Sequence, residues 1–251
     1  MKTNILTRNS YWLKVLISTG WIFYFSVSKL QSQDIAPQIW NNANLIWNID
    51  DQFAFGSSIS YNVLLSQEFP WHEINFTGMG VYAFKSYFEF IFGLYLAQTK
   101  QSLNLSSFET RPYFGLRLFS NNQRRLMISN LSRLELRHFR YSDKTKDFGA
   151  RFRNRTILSF AINRKSMASS KNLFALGYIE AFYSFDNEIK ERFFNQFKYK
   201  LGLGYRFTSS WIVSVGAIYQ DAVNTAAEPS LAPTTLTTNY VFDWGVTYII
   251  Q

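Results

Sequence analysis

From residue 37 onward the chain repeats one pattern: segments of about 10–15 residues in which apolar and polar side chains alternate, separated by polar turns. A period of two is that of a β-strand, which sends successive side chains to opposite faces. Phe53, Phe55, Ile59 and Tyr61 share one face, opposite Ala54, Gly56, Ser58, Ser60 and Asn62. Phe88, Phe90, Phe92, Leu94 and Leu96 oppose Glu89, Gly93 and Tyr95. Phe114, Leu116 and Leu118 oppose Glu109, Arg111, Tyr113 and Arg117. Phe197, Tyr199, Leu201, Leu203 and Tyr205 oppose Gln196, Lys198, Lys200, Gly202 and Gly204. The last segment puts Tyr240, Phe242, Trp244, Val246, Tyr248 and Ile250 on one side. The alternation is sharpest in Arg133-Leu134-Glu135-Leu136-Arg137 and in Arg151-Phe152-Arg153-Asn154-Arg155.

Segment length sets the class. Soluble strands run about 5–6 residues, whereas strands that cross a bilayer need about 9–11. These segments predict an all-β, antiparallel, up-and-down transmembrane barrel over residues 33–251. Short turns fall near Asp50-Asp51, Lys85, Ser120 to Gln123 and Thr208 to Ser210. Longer loops fall at 63–71, 99–106, 141–147, 184–191 and 222–237, and the intermediate link at 163–171 belongs with the short turns. Eleven segments can be counted, while single-chain bacterial barrels have even strand numbers. The expectation is therefore ten or twelve strands, with twelve favoured. The parity is met if Gln38 to Asn48 is not a full strand or if two segments have been merged.

Composition agrees with this reading. Aromatic residues make up 19% of the chain, a proportion suited to girdles at two bilayer interfaces. Mean hydropathy is −0.13, and only the N-terminus approaches the run of about 20 apolar residues of a spanning helix. That N-terminus has Lys2, Arg8 and Lys14, an apolar stretch from Val15 to Val27, and small and polar residues from Ser28 to Gln33. It reads as an export signal over residues 1–32, cleaved after Ser32; a single anchoring helix is the alternative. Export would place the chain in the outer membrane of a Gram-negative cell. The aromatic-rich last strand is of the kind that barrel assembly machinery reads.

The formal charge of +9 falls to about +5 once four basic residues leave with the signal. With neither a basic helix nor an RNA-binding signature, nucleic acid is not an expected partner. The absence of cysteine excludes disulfides and thiolate metal sites. The two histidines suggest neither a metal site nor catalysis. His138 precedes Phe139 and Arg140, His72 lies between Trp71 and Glu73, and neither stands beside a serine nucleophile. No enzymatic activity, metal or cofactor is expected; an interfacial lipid-modifying enzyme is the third and least favoured reading.

Charge placement carries most of the functional information. An Arg or Lys facing lipid at mid-bilayer costs about 2–4 kcal/mol, so five arginines in two strands would cost about as much as a whole domain's net stability of about 5–15 kcal/mol. Arg133, Arg137, Arg151, Arg153 and Arg155 are therefore expected inside. Glu135 shares their face, and Glu109, Arg111, Arg117, Glu180, Lys198 and Lys200 join them by parity. Two readings follow. The acids and bases pair across the lumen and fill a narrow, structural or weakly conducting barrel, with Glu109, Glu135 and Glu180 as the partners. Alternatively, the basic excess forms a porin-like site for small anionic solutes, since a guanidinium is permanently charged and binds carboxylate or phosphate in bidentate fashion.

These residues also carry a resemblance. Trp40, then Glu109-Thr110-Arg111-Pro112, the two arginine runs, Glu180-Ala181-Phe182, and Asn195-Gln196 leading to Gly202-Leu203-Gly204-Tyr205 occur in order. Together they resemble the bacterial family labelled domain of unknown function 2490, known mainly from Bacteroidetes and proteobacteria. Gln196 stands where the family pattern has an arginine, with Lys198 nearby. The resemblance implies an outer-membrane β-barrel, and the family has no assigned activity to carry over.

Overall fold

The computed structural model describes residues 37–65, 71–120, 123–185, 189–191, 193–223, 225 and 236–250. The expected signal over 1–32 and the boundary at 33 lie outside them. Eleven strands are found among the described residues: β1 Gln38–Asn48, β2 Phe53–Leu64, β3 His72–Lys85, β4 Phe88–Lys100, β5 Ser106–Phe119, β6 Leu126–Tyr141, β7 Lys146–Ala161, β8 Asn172–Ser184, β9 Phe194–Arg206, β10 Trp211–Val223 and β11 Leu236–Ile250. Each pairs with its chain neighbours, and β11 returns to β1 to close a barrel. Among the described residues no helix is long and apolar enough to cross a membrane.

The strand number corrects the expectation of ten or twelve, and the pairing is not wholly antiparallel. Gln38–Asn48 is a full strand. When neighbours alternate in direction, an odd number leaves the first and last strands pointing the same way, so closure must be parallel. The seam pairs Gln38 with Val241 through to Trp47 with Ile250. Parallel pairing is slightly weaker per residue, and asparagines reinforce it. Asn42 Nδ2 donates to Asp243 Oδ1 at 2.7 Å, Asn44 Nδ2 to the Val246 carbonyl at 3.2 Å, and Trp244 Nε1 to Asn41 Oδ1 at 2.5 Å.

The strand ends joined through 49–52, 86–87, 120–125, 162–171 and 207–210 lie at one end of the barrel. Those joined through 65–71, 101–105, 142–145, 185–193 and 224–235 lie at the opposite end. The link expected to be of intermediate length is therefore grouped with the short turns, as alternation requires. The expected long loop at 141–147 is a tight hairpin instead, because β6 and β7 continue to Tyr141 and Lys146. At its tip Lys144 takes φ 69°, while the Thr145 hydroxyl and backbone N–H both donate to Asp143 and hold its carboxyl below the usual range.

The barrel is apolar outside and polar within, the reverse of a soluble domain. Phe55, Phe76, Phe92, Phe114, Phe152, Leu201 and Phe242 stand exposed on the outer wall. Glu109, Arg111, Glu135, Arg137, Arg151 and Glu180 are buried within. Apolar clusters cap the interior. At the loop end Ile189 packs on Phe139 and Tyr141, and Trp71 packs on Leu64, Phe193 and Ala222. At the turn end Met167 packs on Ala161 and Phe174.

Candidate functional site

Register brings the charged strands together. Glu135 on β6 lies opposite Arg151 on β7, and Arg155 on β7 opposite Glu180 on β8. Three carboxylates organise six arginines. Glu109 accepts from Arg111 Nε and Nη2 at 2.7 and 2.6 Å, and from Arg137 Nε at 2.7 Å. Glu135 has no solvent exposure and accepts from Arg133 Nε at 2.6 Å and from Arg151 Nη2 at 2.6 Å. Arg153 and Arg111 lie at 3.5 and 3.8 Å from the same carboxylate. Glu180 accepts from Arg155 Nε at 2.6 Å and from Arg153.

Aromatic faces support the guanidinium groups. The Arg111 guanidinium lies 4.1 Å from the Tyr95 ring centre, Arg133 4.6 Å from Tyr113, Arg137 4.8 Å from Phe139, Arg151 4.9 Å from Phe182 and Arg155 5.0 Å from Tyr178. Each such contact contributes about 0.5–2 kcal/mol, depending on desolvation. Tyr113 sits close to β4 because residue 93 is glycine: a Cβ there would come within 2.5 Å of the Tyr113 hydroxyl and of the Gly78 carbonyl.

The balance of charge is uneven. Arg137 also donates to Glu191 at 2.9 Å, from the β8–β9 loop. Lys198 is buried against Trp40, at 4.5 Å from the ring, and Phe182, with no carboxylate within 4 Å among the described residues. Six arginines and Lys198 thus face four carboxylates, an excess of three positive charges. Arg117 and Lys200 stand apart from this cluster in their own pairs, with Glu89 and Asp243. All twelve charged residues singled out from the sequence lie on the inner face; nine form the network, Lys198 borders it, and these two do not join it.

A cavity of about 520 Å³ runs beside the network. Arg111, Arg133, Arg151, Arg153, Arg155 and Lys198 form one wall, and Asn42, Asn44, Ser58, Ser60, Asn62 and Thr77 the other. On that second wall the donors to Glu73 among the described residues are all neutral: Asn75 Nδ2 at 2.8 Å, the Tyr95 hydroxyl at 2.9 Å, Asn62 Nδ2 at 3.2 Å and Thr99 Oγ1 at 3.3 Å. No group of three or more His, Asp or Glu suited to a metal occurs among the described residues.

The family described as "Protein of unknown function (DUF2490)" matches residues 37–229. The chain belongs to this family. The match spans β1 through β10 and thus every member of the charge network. No curated protein matches this family member. Among solved structures it is similar to one described as a NanC porin in a rhombohedral crystal form, with 10% identity over 84% of this chain and 98% of the other, at a TM-score of 0.48.

Glu191, Asp243 and the aromatic supports were not singled out from the sequence. Glu191 lies in a loop, where periodicity carries no signal. Asp243 was open to detection, since it alternates with Phe242 and Trp244 in the last strand. Tyr95 and Tyr113 share the parity of the lumen, and that parity alone did not mark them as guanidinium supports.

Proposed function

We propose that this protein is an integral outer-membrane barrel whose lumen is a narrow, anion-selective passage. The exposed aromatic and aliphatic outer wall supports the membrane placement, since charged lumen residues are tolerated only where lipid does not reach them. In the usual orientation of such barrels the short-turn end faces the periplasm and the loop end faces outward. Export would use the N-terminal signal, and assembly machinery would recognise β11.

The observation that carries selectivity is the uncompensated charge: the network's three positive charges in excess fall to two once Glu73 on the facing wall is counted, and the cations are gathered on one wall of a cavity about 520 Å³ in volume. A low-dielectric channel lined by one sign of charge concentrates the opposite ion. The solutes that fit are small carboxylates, phosphates or inorganic anions. The passage binds and admits; it performs no chemistry and uses no cofactor. His72 and His138 stand exposed on the outer face, away from the buried carboxylates, which supports that reading.

The apolar clusters at both ends favour a second reading, in which the barrel is structural and conducts weakly. Single-channel recording in a planar bilayer separates the two. Anion-selective conductance is expected. A barrel that inserts, shows heat-dependent gel mobility and yet conducts nothing would leave the structural reading.

A further inference from the structure

The outer wall has a polar interruption. Outward positions on β6 run Leu126, Ile128, Asn130, Ser132, Leu134 and Leu136, and on β7 they run Phe160, Leu158, Thr156, Asn154 and Phe152. The apolar members at both ends of these rows are exposed. The four residues in the middle are polar and lie opposite one another, Asn130 by Thr156 and Ser132 by Asn154. This is the depth at which a spanning barrel should be most apolar.

The four side chains bind one another. Asn130 Nδ2 donates to Thr156 Oγ1 at 2.8 Å and to Asn154 Oδ1 at 3.1 Å. Asn154 Nδ2 donates to Ser132 Oγ at 2.7 Å and to Asn130 Oδ1 at 3.1 Å. Both amide groups thereby use their N–H donors. The hydroxyl protons of Ser132 and Thr156 have no acceptor among the described residues, and each amide oxygen accepts only one bond where it can accept two. Two hydroxyl donors thus remain beside four open acceptor sites, one on each amide oxygen and one on each hydroxyl oxygen, so a second copy of the patch can offer an acceptor to each donor. The adjoining outward residue of β8 is Ala181, beside Asn154, which keeps the relief low.

We propose that this facet is the interface of a homodimer in the membrane, with two barrels packed β6–β7 against β6–β7 about a two-fold axis. An isologous contact suits a self-complementary patch. In hydrocarbon, hydroxyl protons find no water, so a second copy is the partner that satisfies them. The proposal rests on the spanning reading given above; a chain in water would need no such partner.

The absence of cysteine makes the test clean. Ser132→Cys places a thiol on the facet, and Ala43→Cys places one on the outer face of β1, across the barrel. In native membranes, oxidation or a short thiol-reactive crosslinker should convert Ser132→Cys to a covalent dimer and leave Ala43→Cys monomeric. In nanodiscs the protein mass should correspond to two chains and fall by half in the Asn130→Leu, Asn154→Leu double variant, while heat-dependent gel mobility persists. Equal crosslinking at the two positions, or a single chain per particle in the unmodified protein, would overturn the proposal. Release from membranes by carbonate without detergent would overturn the spanning reading beneath it, and is scored separately.

Discussion

The two walls of the lumen differ in kind. From β5 to β8 the inward side chains are long, charged and paired, and they fill their side of the barrel. On β1 to β3 most are short and neutral, as at Asn42, Gly56, Ser58, Ser60 and Thr77, with Glu73 the carboxylate among them, and the cavity lies against them. Barrels of about eight strands are filled by side chains, whereas those of 16–18 hold an aqueous channel. At an intermediate size, strand number does not decide whether the lumen is open. Side-chain volume decides where the space lies, and unpaired charge decides what can occupy it.

The same contrast holds for two carboxylates. Glu135 lies among arginines, and Glu73 among neutral donors. Removing Glu135 leaves buried guanidinium groups uncompensated, so Glu135→Ala should cost about 3–5 kcal/mol in urea unfolding from detergent micelles. Glu73→Gln keeps most hydrogen-bonding capacity and should cost about 1 kcal/mol. Equal costs would erase the distinction between the walls.

Selectivity should respond next. Arg153→Ala with Arg155→Ala removes two of the charges that line the cavity. Reversal potentials should show the anion-to-cation permeability ratio falling by roughly tenfold, the equivalent of about 1.4 kcal/mol. Selectivity that survives both changes would place the filter elsewhere. A smaller effect is expected at the loop end. Glu191→Gln releases one of the two partners of Arg137 and loosens the tie between the β8–β9 loop and the lumen. Conductance should rise, with a stability loss of about 1 kcal/mol. The smallest change in stability belongs to the neutral wall. Ser58→Leu should lower single-channel current by filling the cavity, yet shift unfolding by only about 0.5 kcal/mol.

How much of this was legible depended on whether the information was local. The inward face of β6 could be read from Arg133, Glu135 and Arg137, because a strand's two faces follow from its own period. The outward face of β11 could be read from Phe242, Trp244 and Tyr248 in the same way. The eleven segments could be counted too, but not the way in which an odd number closes. A general rule for bacterial barrels pointed to ten or twelve, whereas eleven segments closed through a parallel seam held by Asn41, Asn42 and Asn44. The seam joins residues about two hundred positions apart, and no local pattern encodes it. The extent of the β6–β7 hairpin was misjudged for a related reason. Polar residues at its tip resemble a loop, while cross-strand pairing carries both strands through to Tyr141 and Lys146.

By itself, the sequence determined which side chains face the same way, and it placed the arginines of β6 and β7 on the face that a spanning barrel keeps from lipid. Period and the cost of charge in hydrocarbon suffice for that. Only the tertiary structure decided how the charges are divided. Glu191 reaches Arg137 from a loop, Asp243 takes Lys200 from two strands away, and Lys198 lies against Trp40, opposite Glu180 in register but with no carboxylate within 4 Å among the described residues. Pairing depends on register between strands and on the fold of loops, which fix distances that no single segment contains. The net charge facing the cavity is therefore a property of the closed barrel.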